Sequence, residues 1–303
     1  MKTTLIAGGI ALAIAMALYW TKQDLRVDGP LSLGTAEADP MSVLAALPDE
    51  GFERPSPDWT LDLPADHGAH ATTRTETWQV VTHLEDQDGN ALGLQFSFLR
   101  AALAPPPDAA SASIWALKDV NRAHVTLLDL GSAGLIGEER FQRGIPRLAG
   151  YDVDAGELRL DNWYLAFGQD DKGSFMALNA TIEDKAVAEL VMRPEKQPLA
   201  LEPDGEDAPF VGYALSRLSV EGTLDQGVGT RPVSGSAWFD HLWGELPVPG
   251  VGPVTWDRLQ LHLLDGTDVS LVRSRRTDGR GADAIDGFIS DPDGVSSALD
   301  EES

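Results

Sequence analysis

The segment TETWQVVTHL at residues 75–84, with DQDGN at 86–90 and ALGLQFSFL at 91–99, carries the clearest structural signal in the chain. The run at 75–84 is rich in β-branched and aromatic residues. The run at 91–99 has a large apolar residue at every other position. This alternation is typical of strands that bury one face. Between the two runs, Gly89 and Asn90 tolerate the positive φ angle that a tight turn requires. The segment therefore predicts an antiparallel β-hairpin.

The same pattern recurs along most of the chain and predicts a series of further strands. They are expected at residues 123–130, 157–167, 174–182, 186–192, 211–220, 233–239, 257–264 and 268–273. After the N-terminal segment, no helical periodicity of comparable length competes with them. So many antiparallel strands must pack as two sheets or close into a barrel, because open strand edges are unstable. The predicted fold class is all-β.

Residues 1–22 differ from everything that follows, since a lysine near the start is followed by an uncharged, mostly apolar run at 5–20. This length lies between a signal-peptide core and a membrane span of about 20 residues. The Ala-Met-Ala pattern at 15–17 fits a signal-peptidase site, whereas the nearby aromatic pair suits an anchor. We predict a signal peptide or membrane anchor at 1–22 and a linker at 23–50. The protein is then exported to the periplasm, either soluble or tethered to the inner membrane.

Composition excludes several classes of partner and site. The formal net charge is −25, which argues against nucleic acid, because phosphate binding requires lysine and arginine patches. We interpret the acidity as a solubility feature. Cysteine is absent, so disulfides and thiolate zinc sites are excluded and stability must come from a packed core. No HExxH, GxSxG or phosphate-binding glycine motif occurs, and we predict neither a cofactor nor a metal site.

Two later segments interrupt the strand pattern. Residues 197–210 contain several prolines and acids, and we interpret them as a module boundary or a lid. Residues 291–303 are acidic and small, and they predict a frayed acidic tail.

The segment DHGAH at residues 66–70 places two of the six histidines beside an aspartate, just before the first long strand. An aspartate next to a histidine can orient the imidazole or raise its basicity. We therefore select His67 and His70 as ligand-binding candidates, together with Glu76 and Trp78 on the strand that follows. The alternative is structural, in which these groups cap a turn and hydrogen-bond the entering chain.

The segment GSAWFDHLWG at residues 235–244 is the second unusual stretch. Strand alternation places Trp238 and Asp240 on one face and His241 on the other. A bulge at the end of the segment would bring Asp240, His241 and Trp243 to one cavity mouth. A carboxylate, an imidazole and two indoles suit an apolar ligand with one polar group. The alternative is a packed aromatic corner with a hydrogen-bonded histidine.

These two segments, in order with LQFSFLR at 94–100, ERFQR at 139–143 and DNW at 161–163, resemble the carotenoid 1,2-hydratase/AttH-like family. The resemblance covers roughly residues 52–300. It implies two packed lipocalin-like β-modules, exported in bacteria, with an apolar ligand held between or within them. The family contains enzymes that hydrate terpenoid double bonds and relatives that only fold around hydrophobic compounds. Its AttH-like branch is associated with ABC transporters.

Several positions depart from the family pattern. Thr77 stands where many members have tryptophan, and Leu242 stands where a polar residue is usual. In the hydratases, as the resemblance implies, the His and Trp of the second segment work with a Tyr-x-Asp pair that the strand at 268–273 lacks. The modules are expected at 51–222 and 223–290, the second of them incomplete. These departures favour the AttH-like branch.

The resulting hypotheses come from different functional classes. The first is an exported lipocalin-like protein that binds a lipid or isoprenoid and assists an ABC transporter. The second is a hydratase or lyase for a terpenoid double bond, with Asp240 and His241 as its catalytic residues. The third is a structural partner of membrane permeases without a ligand. Where a ligand is bound, Trp238 and Trp243 would contact it, as would Trp256, which repeats the aromatic–acid pairing.

Overall fold

The computed structural model of the protein describes residues 50–56, 58–105, 118–201, 210–227, 229–245, 254–276 and 284–299. The predicted export segment and the linker up to residue 49 lie outside these ranges, as do residues 202–209 of the predicted lid and the last four residues of the tail. In the described ranges, no helix is both long enough and apolar enough to cross a membrane.

A twelve-stranded antiparallel sheet contains most of the described chain. Its strand order is β4-β3-β2-β1-β12-β11-β9-β8-β7-β6-β5, with the short β10 paired to β11. The strands are β1 Thr75–Asp86, β2 Ala91–Ala102, β3 Asp119–Asp129, β4 Gly134–Arg143, β5 Ala149–Asp152, β6 Glu157–Leu160, β7 Trp163–Asp170, β8 Gly173–Ile182, β9 Ala186–Pro194, β10 Leu199–Leu201, β11 Phe210–Asp225 and β12 Thr230–Gly244. The all-β prediction is confirmed.

Side chains of the end strand β4 reach the opposite part of the sheet. The guanidinium of Arg140 lies over the ring of Trp163 on β7, 4.0 Å from its centroid. The carboxylate of Glu138 accepts a hydrogen bond from the backbone N–H of Glu183, at 2.6 Å, in the turn after β8. The twelve strands therefore curl into a nearly closed barrel.

The barrel interior is filled by the inward-facing residues, which alternate with outward-facing ones along each strand. Large side chains that are fully buried include Trp78, Phe96, Phe98, Trp163, Tyr213 and Phe239. The predicted β1–β2 hairpin is present, with Glu85 paired to Ala91. Its turn is held by the carboxylate of Asp86, which accepts hydrogen bonds from the backbone N–H groups of Asp88 and Asn90.

A smaller antiparallel sheet follows the barrel, in the order β13-β14-β15-β16. Its strands are β13 Val254–His262, β14 Asp268–Arg276, β15 Ala284–Ser290 and β16 Ser296–Ala298. The fully buried carboxylate of Asp268 attaches this sheet to the barrel. It pairs with Lys196 at 2.8 Å and with Arg217 at 2.6 Å, and it accepts a hydrogen bond from Ser216 at 3.0 Å.

Three details differ from the sequence predictions. The stretch 157–167 is not one strand but the β6–β7 hairpin, because Asp161 adopts a positive φ of 57°, a conformation that aspartate tolerates. The expected module boundary at 222/223 lies within β11, and the change of sheet comes only between β12 and β13. The predicted tail at 291–303 includes the short strand β16, which pairs with β15.

The chain that enters β1 crosses one end of the barrel. A 3₁₀ helix at Ala65–His67 lies on this path and ends at Gly68. The indole N–H of Trp78 donates to the backbone oxygen of His67 at 3.3 Å. The ring of Trp59 meets that of Trp243 edge-on, with 5.1 Å between centroids. This entering segment therefore closes over the side chains that β1 and β12 point into the barrel.

Candidate functional site

A buried carboxylate, Glu76 of β1, is the centre of the polar groups at this end of the barrel. Its Oε1 lies 2.8 Å from Nδ1 of His70 and 2.9 Å from Nε2 of His241. Its Oε2 accepts a hydrogen bond from Nε of Arg100 at 2.9 Å. Register explains the contacts, because Glu76 is directly opposite Arg100 on β2 and opposite Trp243 on β12.

The surroundings keep Glu76 ionised. Burial alone would raise the pKa of its carboxyl, but the charge of Arg100 and the hydrogen bonds from His241 and His70 outweigh burial. The pKa of Glu76 is therefore held well below its ordinary value. A buried carboxylate in this state is costly to leave without its partners.

His241 of β12 is completely buried beside Glu76. Its Nδ1 lies 2.8 Å from the backbone oxygen of Asp66, and its ring stacks on Trp78 with 4.4 Å between centroids. Burial lowers the pKa of His241, while the hydrogen bond to Glu76 opposes that shift. His241 thus joins the entering segment to β1.

His70 completes the polar cluster from the entering segment. Its Nε2 lies 3.3 Å from the Oδ1 of Asp66, and its ring stacks almost parallel on Trp243, with 3.6 Å between centroids. The side chain of His70 is 22% exposed, whereas Glu76 and His241 have no exposed side-chain surface. The cluster therefore meets solvent on the His70 side.

A second polar pair, His67 with Tyr213, lies in an aromatic setting. Nδ1 of His67 is 2.5 Å from the hydroxyl of Tyr213, and its ring stacks on Phe167 at 4.5 Å. Burial, with the nearby His241, lowers the pKa of His67 to about 4. Burial also raises the pKa of Tyr213 well above its usual value. Both side chains are therefore neutral at pH 7. The described residues offer the Tyr213 hydroxyl no other acceptor, so we assign it as the donor to Nδ1.

Asp240 belongs to the other face of β12, as alternation predicted. Its Oδ1 accepts a hydrogen bond from the indole N–H of Trp238 at 2.9 Å. Its Oδ2 accepts from Gln260 at 3.1 Å and pairs with Arg258, both on the small sheet. These contacts join the sheets rather than form a cavity mouth.

The structure therefore separates the predicted catalytic pair. The ladder between β1 and β12 stays in register as far as Thr75 opposite Gly244, so no bulge re-aims the side chains there. Trp243 and His241 face the barrel interior, while Asp240 and Trp238 face the small sheet. Trp256 lies on β13 opposite Ser274, and its side chain is outside the described residues.

The remaining candidates do come together, with partners that the sequence reasoning missed. His67, His70, Glu76, Trp78, His241 and Trp243 all lie at one end of the barrel. Arg100 and Tyr213 are site residues that the sequence does not predict. For Arg100 a signal existed, because counting outward from the turn at 86–90 pairs it with Glu76; for Tyr213 the sequence offered none.

The structure also shows a donor cluster where no metal site was expected. The ligand atoms of His70, Glu76 and His241 all lie within 4.8 Å of one another. Two imidazoles and a carboxylate are a donor set that zinc uses in proteins.

Taken together, the fold and the buried site define a lipocalin-like β-barrel protein with a small additional sheet. A family model described as AttH-like matches residues 54–303, and the chain belongs to this family. No curated protein matches the chain.

Two solved structures share the fold. An AttH-type protein from Nitrosomonas europaea is 23% identical, with a TM-score of 0.65 over 83% of this chain and 76% of that one. Kievitone hydratase from Nectria haematococca is 12% identical, with a TM-score of 0.57 over 84% of this chain and 72% of that one. At these identities the likeness shows the fold.

Proposed function

We propose that the protein binds an apolar small molecule carrying one polar group, at the barrel end where His67 lies. We call this region the mouth and define it by Trp59, His67, His70, Tyr151 and Phe167. All five are partly exposed. Trp59, Tyr151 and Phe167 also pack against the buried core. Ligand sites combine such apolar linings with a few oriented polar atoms.

One observation carries this proposal: Nε2 of His67 has no hydrogen-bond partner among the described residues, although the ring is half buried. Because the Tyr213 hydroxyl donates to Nδ1, the imidazole hydrogen must be on Nε2. A half-buried N–H without a protein acceptor suits a carbonyl or hydroxyl oxygen of a ligand. The stacked ring of Phe167 supplies an apolar surface beside it.

Hydration of a carbon–carbon double bond is the second candidate function. Kievitone hydratase shares the fold, which is the observation that favours it. Hydration requires a positioned acid that protonates carbon and a base that activates water. At the mouth, His67 is neutral and holds its proton on Nε2, which makes it a weak acid. Glu76 and His241 are acid–base groups but are fully buried. Binding therefore has the stronger support.

In this proposal the protein works outside the cytoplasm, beside an ABC transporter or another membrane process. The support for export is the apolar segment at 1–22 alone. The support for a transporter is the membership of the AttH-like family.

Native mass spectrometry of the purified protein and binding of fluorescent fatty-acid and carotenoid probes test the proposal. We expect bound apolar molecules, and we expect His67→Phe and Phe167→Ala to weaken probe binding at least tenfold. Phe175→Ala is the matched control, because Phe175 faces outward on β8 against Arg193. Absence of any bound molecule, with no probe binding, would contradict the proposal and favour a structural partner of permeases. Water addition to an alkene probe, seen as a mass increase, would instead support the hydratase.

A further inference from the structure

We propose that His70, Glu76 and His241 bind a divalent transition metal of the zinc class. Oε1 of Glu76 lies 2.8 Å from Nδ1 of His70 and 2.9 Å from Nε2 of His241, so three donor atoms converge. Two imidazole nitrogens and one carboxylate oxygen form a known zinc ligand set, which leaves a fourth position for water.

Asp66 holds the outward-facing nitrogen of both histidines. Its backbone oxygen lies 2.8 Å from Nδ1 of His241, and its Oδ1 lies 3.3 Å from Nε2 of His70. Both oxygens accept hydrogen bonds, so each outward nitrogen carries the ring hydrogen. Ligand histidines in metal sites donate their second N–H to a carbonyl or carboxylate in this way. In the metal-bound form the lone pair of each ring therefore points inward, and the ion replaces the hydrogen bonds that the two rings otherwise make to Glu76.

With the ring hydrogens held outward by Asp66, the inward-facing atoms need a cation among them. Two imidazole lone pairs meet the Oε1 of Glu76, and all three carry negative charge density. Arg100 does not supply the cation at this point, since its Nε binds the other carboxylate oxygen, Oε2. One proton can bridge only one of the two N···O contacts, whereas a metal ion satisfies both. The backbone N–H of His70, 2.9 Å from Oε1, further fixes the carboxylate.

A metal here would connect three parts of the chain that are distant in sequence. His70 belongs to the entering segment, Glu76 to β1 and His241 to β12. The chain has no cysteine, so no disulfide can make such a connection. Metal binding by residues from separate elements is coupled to folding, and the bound ion therefore stabilises the fold. His70, with 22% of its side chain exposed, provides the route of entry.

Titration of the full chain, purified in chelator and then dialysed, tests the site with Zn²⁺ or Co²⁺ alone. We expect one metal ion per chain by isothermal titration calorimetry, a Co²⁺ absorption spectrum of a low-coordinate N/O site, and a higher Tm with metal. His70→Ala should weaken binding by at least about 100-fold, since even second-shell changes cost 10–100-fold. Asp66→Asn, which alters the contact that orients His70 but keeps all three ligand side chains, should weaken it less. Circular dichroism establishes that each variant is folded.

The matched control is His83→Ala, because His83 is an exposed histidine on the same strand as Glu76. This variant should bind metal as the parent protein does. Binding that is unchanged in His70→Ala would overturn the proposal. So would the absence of binding at millimolar metal. Nitrogen-15 spectra that show His70 and His241 doubly protonated at neutral pH would identify protons as the occupants and also overturn it.

Discussion

Replacing Arg100 by methionine removes the guanidinium that faces Glu76 and keeps a side chain of similar length. The side chains of the pair are 6% and 0% exposed, so Glu76 would lose its main charge partner in a site that water scarcely reaches. Breaking a buried pair in this way costs about 3–5 kcal/mol. Each 1 kcal/mol lowers Tm by about 2–4 °C in a chain of this size, so a fall of roughly 6–20 °C is expected.

Urea unfolding at pH 7, followed by tryptophan fluorescence, measures the free energy of unfolding. The matched control is Arg275→Met, because Arg275 pairs with Asp257 on the surface, where the side chains are 41% and 50% exposed. Exposed pairs contribute at most about 1 kcal/mol. The double variant of Arg100→Met with Glu76→Gln should regain part of the loss, since no buried charge then lacks a partner. If Arg100→Met costs no more than the control, the buried-charge reasoning is wrong.

Two further predictions concern pH and the small sheet. Because the pKa of His67 is lowered from 6.5 to about 4, the unfolded chain binds more protons between these values. The free energy of unfolding should therefore decrease as pH falls from 6.5 towards 4. Urea midpoints measured over this pH range should decrease less in His67→Phe than in the parent protein. An equal decrease in both would contradict the lowered pKa of His67. Asp268→Asn leaves the buried side chain of Lys196 and the partly exposed side chain of Arg217 without their carboxylate, so limited proteolysis should cut the segment 254–298 faster. Cleavage no faster than in the exposed-site control Asp293→Asn would refute that role.

Most of the strands are predictable from sequence, because their side-chain alternation and turn residues are local features. Alternation and turn residues located β1 and β2 because a half-buried strand and a tight turn each impose a pattern. The pattern failed at β4, whose residues are mostly of intermediate exposure and so do not alternate clearly. It also failed at Asp161, where a turn of two polar residues separates two apolar runs. Position 222/223 lies within β11, and β12 pairs with β1, a long-range contact that no local signal carries.

The candidate site was predictable only in part. The histidines at 67 and 70 stood out because two imidazoles beside an acid are unusual in a sequence with six histidines. Alternation correctly placed Asp240 and His241 on opposite faces, but the assumed bulge brought them together wrongly. Tyr213 reaches His67 from β11 across the barrel, and such a contact depends on how the sheet curls. Export and a transporter partner remain predictions.

The pairing of β1 with β12 also determines when the central ladder can form during synthesis. Thr75 and Gly244 are 169 positions apart, yet they are neighbours in the central ladder. During synthesis the β1–β2 hairpin emerges long before β12, which is the second partner of β1. Until then one edge of β1 is unpaired. Contacts this distant in sequence form slowly, and exposed edges associate with other chains. The nascent protein is therefore expected to depend on a chaperone that shields this edge until residue 244 has emerged.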